Sequence, residues 1–158
     1  GSCAGMVVHA YPEMFRGHPE EEAALDLARR TIELTQFLQK HDLDPGPGTS
    51  GPVTMHDSCH MLRVMHESAS PREALARAGC EVREMQGTDQ CCGFGGVFSI
   101  TFPELSARLG EEKARAAVES GAPEVVSCDL GCLMHVAGVA HRRGVPLQAR
   151  HIAEVLDG

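Results

Sequence analysis

The sequence predicts an α/β fold: a mostly parallel sheet of about four strands with flanking helices, plus an N-terminal helix. After residue 52, short apolar segments typical of buried strands alternate with longer segments of helical periodicity. Strands that are separated by helices pair in parallel through right-handed crossovers. The chain has 158 residues, of which 42% are hydrophobic and 23% charged, so it can bury a core without disulfides.

An amphipathic helix is predicted over residues 19–40. Pro19 suits an early helical position, and the glutamates that follow it face the positive end of the helix dipole. The apolar positions recur at helical spacing and are Leu25, Leu27, Ala28, Ile32, Leu34 and Leu38. Such a face ordinarily packs in a core. If this one is exposed, it could instead pair two copies of the chain.

A stretch rich in proline and glycine, DPGPGTSGP at residues 44–52, follows this helix. Its composition does not favour regular structure and predicts a linker. The chain is therefore predicted to consist of a helical segment at 1–43, the linker at 44–52 and a domain at 53–158.

The domain contains the predicted strands and the helices between them. The strands are expected at residues 53–56, 80–85, 124–127 and 146–149. Ser70-Pro71-Arg72-Glu73 predicts a capping box for a helix that Gly79 ends. Further helices are expected from a cap at 101–104 to Gly121 with Leu105 and Leu109 facing inward, from 131 to 143 before Gly144, and at 152–156.

Seven cysteines are present, an odd number: Cys3, Cys59, Cys80, Cys91, Cys92, Cys128 and Cys132. In a reducing compartment such a set favours metal or redox chemistry over disulfides. Ligands of parallel sheets gather at the carboxyl ends of the strands, and every cysteine from Cys59 onwards except Cys80 follows a predicted strand. Cys80 lies at a strand start and is predicted to be a core residue.

The adjacent pair Cys91 and Cys92 indicates a metal site, because both side chains cannot point into one apolar core. Gly93, Gly95 and Gly96 allow the backbone to turn or to approach a ligand closely. An iron–sulfur cluster offers neighbouring thiolates different irons, whereas one zinc ion would take both in a tight chelate. A cluster is therefore favoured, and zinc stays open.

Three further residues could support the site. Cys132 near a helix start would have a favoured thiolate. His56 and His60 flank Cys59 and could bind the metal or donate hydrogen bonds to its ligands. The alternative for each histidine is an ordinary hydrogen bond within its loop. These patterns predict a cysteine-rich metal site, but they do not indicate which reaction it takes part in.

Other function classes have little support in the sequence. The net charge is −8 and basic residues do not cluster, which argues against nucleic acid as a partner. No apolar run approaches the roughly 18–20 residues of a membrane span, and no leader precedes the chain, so the cytoplasm is expected. No catalytic set for hydrolysis is visible, and Gly93–Gly96 lacks the spacing of a dinucleotide fingerprint.

Three blocks carry a family resemblance: His56-Asp57-Ser58-Cys59-His60, Cys91-Cys92-Gly93 and Asp129-Leu130-Gly131-Cys132. They resemble the CCG, or cysteine-rich, domain found in heterodisulfide reductase and in the iron–sulfur subunits of glycolate oxidase and anaerobic glycerol-3-phosphate dehydrogenase. Further blocks at 1–6, 34–38, 91–96, 131–134 and 151–156 are similar to the lactate-utilisation branch of that family. The resemblance covers essentially the whole chain.

The resemblance implies a 4Fe-4S cluster held by Cys59, Cys91, Cys92 and Cys132. It also implies transfer of electrons from the oxidation of a hydroxy acid, L-lactate in that branch, within a cytoplasmic complex of further iron–sulfur subunits. The chain alone is not expected to be active.

Members of the family carry two copies of the cysteine pattern. Residues 53–158 resemble one complete copy, and Cys3 resembles the closing cysteine of a first copy, whose missing N-terminal part would be a partner. In the heterodisulfide reductase relatives, a fifth thiol supports a non-cubane cluster and disulfide chemistry. Asp129 replaces that thiol here and Cys128 lies one residue away, so an ordinary cluster is favoured.

Several alternatives remain open. Cys128 is a possible additional ligand, and disulfide chemistry on a non-cubane cluster is the corresponding function. Two further alternatives are a structural zinc module and an assembly module whose cysteines are inert or oxidised.

Overall fold

A computed structural model describes residues 1–48 and 51–158 of the chain. Its sheet has four parallel strands in the order β2-β1-β3-β4. The strands are β1 (Pro52–Met55), β2 (Glu81–Val82), β3 (Glu124–Ser127) and β4 (Gln148–His151). The predicted α/β class with a parallel sheet is therefore confirmed. The predicted linker at 44–52 lies partly outside the described residues, and Pro52 already belongs to β1.

Helices flank the sheet and form the N-terminal segment. They are α1 (Ser2–Gly5), α2 (Tyr11–Met14), α3 (Glu21–Arg30), α4 (Leu34–Lys40), α5 (Ala69–Arg77), α6 (Val97–Thr101), α7 (Pro103–Glu119), α8 (Leu130–Arg143) and α9 (Ile152–Asp157). Single π-helical turns occur at Met6–Ala10 and His60–Val64. Within the described ranges, no helix is both long and apolar enough to cross a membrane.

The single helix predicted over residues 19–40 is wrong. α3 ends at Arg30, and Thr31 has extended backbone angles. Glu33 then begins α4 with a reciprocal cap: its carboxylate accepts from the Thr35 N–H at 2.9 Å, and the Gln36 side chain accepts from the Glu33 N–H at 3.0 Å. β-Branched residues at 31–32 followed by this cap end one helix and start another.

The apolar face of the N-terminal helices is only partly covered. Leu25 is 38% exposed, and Leu27 and Leu34 are each 39% exposed, whereas Leu38 packs against the core. α4 lies on α5, where the Thr35 and Ser70 hydroxyls are 2.9 Å apart. Pairing of two copies through the exposed leucines stays a prediction.

The capping box predicted at Ser70 is also wrong. The Glu67 carboxylate accepts hydrogen bonds from the N–H groups of Ala69 and Ser70 at 2.8 and 2.9 Å. A carboxylate suits the positive end of a helix and reaches two of its free N–H groups, so Glu67 does the capping. The Ser70 hydroxyl is left to contact Thr35.

The inward face of α7 differs from the prediction. Leu105 is 50% exposed and Leu109 is half-buried. The buried positions of α7 are Ser106, Gly110, Lys113, Ala114 and Ala117. Because most of these side chains are small, α7 approaches its neighbours closely, and its two leucines are half-buried or exposed.

The buried residues described form two core clusters, one on each face of the sheet, and consecutive residues of β3 belong to different clusters. Val126 packs with β1, α5 and α9, while Val125 packs with α7 and α8. Cys80 and Cys128 belong to the first cluster and Cys92 to the second. The prediction that Cys80 is a core residue is confirmed.

Candidate metal centre

A cleft at the carboxyl edge of the sheet is lined by four cysteines from three loops. Its volume is about 190 Å³. Cys59 follows β1, Cys91 and Cys92 follow β2, and Cys132 lies in the first turn of α8, which follows β3. The parallel sheet thus brings together residues that are up to 73 positions apart in the chain, counting from Cys59 to Cys132 (132 − 59).

The adjacent cysteines Cys91 and Cys92 contact different partners. The Cys91 side chain lies beside Cys59 and raises its pKa, while the sulfurs of Cys92 and Cys132 lie within 4.8 Å of each other. The neighbouring thiols therefore diverge into two pairs inside one cleft. This arrangement can present four sulfurs to more than one metal atom.

The pKa values of these thiols are shifted in different directions. The hydrogen bond with Cys132 lowers the pKa of Cys92 despite its burial, and His56 and the Phe94 N–H act in the same direction. The same hydrogen bond, together with burial and the nearby Cys92 charge, raises the pKa of Cys132. The thiolate predicted for Cys132 from its place at a helix start is therefore wrong for the metal-free site, because these effects outweigh the helix dipole. Burial first, and then the neighbouring Cys91, raises the pKa of Cys59. A metal would replace the shared protons, since thiolates are the ligating form.

His56 is the most unusual residue at the cleft. It directly follows β1, is 1% exposed, and its ring lies against the Cys92 side chain, whose pKa it helps to lower. One ring nitrogen and the sulfurs of Cys92 and Cys132 all lie within 4.8 Å of one another. Imidazole nitrogen and cysteine sulfur are both metal ligands, so three such atoms at this separation fit a metal centre at the cleft.

The glycine turn after the cysteines holds the loop against α7. Gly93 has φ +92°, and a Cβ atom there would lie 2.4 Å from the Ser106 carbonyl oxygen. The Ser106 hydroxyl donates to the Gly93 carbonyl at 2.7 Å. The Gly93 N–H in turn donates to the Cys91 sulfur at 3.3 Å. Gly95 also has positive φ and lines the cleft.

Asp57 ties the loop after β1 to α5 and to the loop after β2. Arg72 of α5 binds both oxygens of its carboxylate, at 2.8 and 2.9 Å, and also contacts Glu84. The Asp57 and Glu84 partners raise the pKa of Arg72 further. The Asp57 N–H donates to the Thr88 carbonyl at 3.1 Å, which ties this loop to the one after β2. No sequence pattern indicates the Asp57–Arg72 pair, because its members are 15 residues apart.

The remaining predicted residues lie around or outside the cleft. His60 is exposed at its mouth, with Nδ1 3.3 Å from the Ser2 hydroxyl. Asp129 lines the cleft and accepts a hydrogen bond from Ser2, but it does not cap α8. Cys128 packs in the core, where burial raises its pKa, and Cys3 is exposed beside a separate cavity.

The fold and the cleft define a class of protein: a parallel α/β domain that presents several cysteine thiols at the carboxyl edge of its sheet. The chain belongs to the cysteine-rich domain (CCG) family, which matches residues 53–137. The family resemblance predicted from the sequence blocks is therefore confirmed.

The chain is similar over almost its whole length to several bacterial proteins. It is 40% identical to Lactate utilization protein A of Oceanobacillus iheyensis, over 99% of this chain and 66% of that protein. It is 42% identical to the protein of the same name from Geobacillus thermodenitrificans, over 99% and 67%. It is 40% identical to the protein of the same name from Lysinibacillus sphaericus, over 99% of this chain and 70% of that protein. The chain thus spans about two thirds of the length of these curated relatives.

Proposed function

We propose that the protein is an iron–sulfur electron-transfer subunit of a system that oxidises L-lactate or a related hydroxy acid. The observation that carries the proposal is the convergence of four thiols from three loops on one cleft. The similarity to proteins named Lactate utilization protein A supports the choice of substrate class.

Cys59, Cys91, Cys92 and Cys132 would hold a 4Fe-4S cluster, one thiolate for each iron. The divergence of the adjacent Cys91 and Cys92 supports a cluster over a single ion, because each sulfur faces a different neighbour. Such a group supplies reversible one-electron transfer when it is bound.

The chain's own groups would tune that centre. The N–H of Gly93 donates to the Cys91 sulfur and the N–H of Phe94 to the Cys92 sulfur, and both bonds stabilise negative charge. The buried His56 ring adds a possible donor on the same side. Partial burial of the sulfurs limits their contact with water, which also affects the reduction potential.

We propose that the function is exerted in the cytoplasm, where thiols stay reduced, and in association with further iron–sulfur subunits. Because the chain spans about two thirds of its relatives' length, the activity is proposed for a longer protein within a complex. A preceding CCG repeat would supply the partners of Cys3.

Anaerobic reconstitution tests the proposal. Iron, acid-labile sulfide and zinc are measured on the wild type and on Cys91→Ser, Cys92→Ser and Cys3→Ser. The wild type should contain about four irons per chain with matching sulfide. Cys91→Ser and Cys92→Ser should lose most of both, and Cys3→Ser should retain them because Cys3 lies outside the cleft. Absence of sulfide from the wild type would contradict the proposal.

A structural zinc module is the second candidate, and one observation favours it. His56, Cys92 and Cys132 lie close enough to share one ion, and Cys59 lines the same cleft. This function predicts one zinc per chain without sulfide, and unfolding when a chelator removes the metal.

A further inference from the structure

Lys113 is a charged residue on the inner face of α7, where small side chains prevail. It is 3% exposed. Its ammonium donates to the carbonyls of Gly87 and Thr88, at 2.6 and 3.3 Å. Both acceptors are neutral, and in the described part of the chain the ammonium forms no ion pair with a carboxylate. A buried charge that lacks a counter-charge is strongly destabilising, so an anion should compensate it.

The surroundings of Lys113 identify that anion. Burial lowers the pKa of Lys113, while negative charge on Cys92, Asp89, Asp57 and Cys91 opposes the decrease. The Asp57 carboxylate is already bound on both oxygens by Arg72, and Asp89 is exposed to solvent. The sulfurs of Cys92 and Cys91, which would be thiolates in a metal-bound centre, are the remaining groups in this set that can balance the ammonium.

Lys113 also takes part in holding the cysteine loop. It binds the carbonyls that precede Cys91, and the Ser106 hydroxyl binds the Gly93 carbonyl that follows Cys92. Two residues of α7 thus hold the loop at both ends, but only one of them carries a charge. A substitution of Ser106 therefore serves as a control: it removes a contact with the loop without removing a charge.

We propose that Lys113 is the fixed positive charge that balances the thiolate-bound centre and raises its reduction potential. The inference rests on the proposed iron–sulfur function. Oxidation of a hydroxy acid to its oxo acid releases two electrons and two protons. Reduction of the centre takes up one of these electrons at a time, which adds one negative charge to the site, and the protons pass to solvent. A buried ammonium stabilises the more negative form, because charges interact strongly where water is excluded. Lys113 acts on the ligands through its charge and is not itself a ligand.

The test compares the midpoint potentials of anaerobically reconstituted variants, titrated with dithionite and followed by electron paramagnetic resonance. Lys113→Met and Lys113→Gln should shift the potential to more negative values, because both remove the charge. Lys113→Gln keeps a side-chain N–H donor, so its shift reports charge more than contact. Lys113→Arg should stay near the wild type. Ser106→Ala should lose iron faster while its potential stays near the wild-type value.

The outcomes separate this inference from the proposed function. A wild type that takes up no iron or sulfide overturns the proposed function and this inference with it. A wild type that holds a cluster, with equal potentials in Lys113→Gln and Lys113→Arg, overturns the inference alone. The inference is also overturned if Ser106→Ala shifts the midpoint potential as far as Lys113→Gln does. In that case the geometry of the loop, and not the charge of Lys113, would determine the potential. If Lys113→Met does not fold, the Gln and Arg variants decide.

Discussion

Two regions of the molecule place a cysteine in the first turn of a helix, and only one of them forms a thiol cleft. Cys132 in α8 is half-buried and contacts Cys92, whereas Cys3 in α1 is exposed. Both regions continue to a short helix with a reciprocal cap, α4 after Glu33 and α9 after His151. The two regions therefore share these two local features.

The difference lies in what the sheet brings to each cysteine. The loops after β1 and β2 carry Cys59, Cys91 and Cys92 to the start of α8. The cavity beside Cys3 is lined by no second cysteine among the described residues. A helix start favours a thiolate, but a metal site also needs convergent loops. Each experiment below compares the cleft region with the N-terminal region.

Replacing the two helix-start cysteines should give the largest contrast. Cys132→Ser should abolish most iron binding, because the cleft loses one of four thiols and the partner of Cys92. Cys3→Ser should bind as much iron as the wild type. Iron and sulfide per chain after anaerobic reconstitution measure both. Similar losses in the two variants would mean that the regions do not differ in this respect.

Glycine replacement should separate the regions by stability. Gly93→Ala combines positive φ with a Cβ that would lie 2.4 Å from the Ser106 oxygen, so we expect a loss of about 4 kcal/mol. Gly17→Ala has similar φ but no atom within 4 Å, and should cost about 1 kcal/mol. Urea unfolding of both variants provides the measurement. Equal losses would show that α7 does not constrain the cysteine loop.

The ion pairs of the two regions should also differ. Arg72→Met leaves the buried Asp57 carboxylate without its partner and should destabilise the protein by about 3 kcal/mol. Arg30→Met breaks an exposed pair with Asp26 and should change stability by less than about 0.5 kcal/mol. The free energy of unfolding in urea distinguishes them. A small effect of Arg72→Met would remove Asp57 from the support of the cleft.

The smallest expected difference between the two regions concerns the feature that they share. Gln36→Ala in α4 and Glu154→Ala in α9 each remove one half of a reciprocal cap and should cost about 1 kcal/mol. Similar thermal shifts would support equivalent local structures. A clearly larger shift in one variant would show that the two caps are not equivalent.

Much of the sheet could be predicted because its strands are short, apolar and bounded by turn residues. β3 occupies the predicted residues 124–127, and β1 is shifted by one residue. The break between α3 and α4 was missed, since it depends on a cap at Glu33 and on contact with α5. Helical periodicity continues across such a break and does not reveal it.

The site was predictable in outline. Cysteines placed after parallel strands predicted a common edge, and Cys59, Cys91, Cys92 and Cys132 line one cleft there. Their role as ligands stays a prediction. Lys113 could not be singled out, because a lysine within a run of charged helical residues ordinarily faces solvent. Only the packing of α7 against the loop after β2 buries it.

The most direct measurement of the central claim is the metal content of the protein purified anaerobically from cells, without reconstitution. The cleft of four thiols predicts about four irons and about four acid-labile sulfides per chain, with little zinc. One zinc per chain and no sulfide would contradict an iron–sulfur centre and would favour the His56–Cys92–Cys132 zinc site instead.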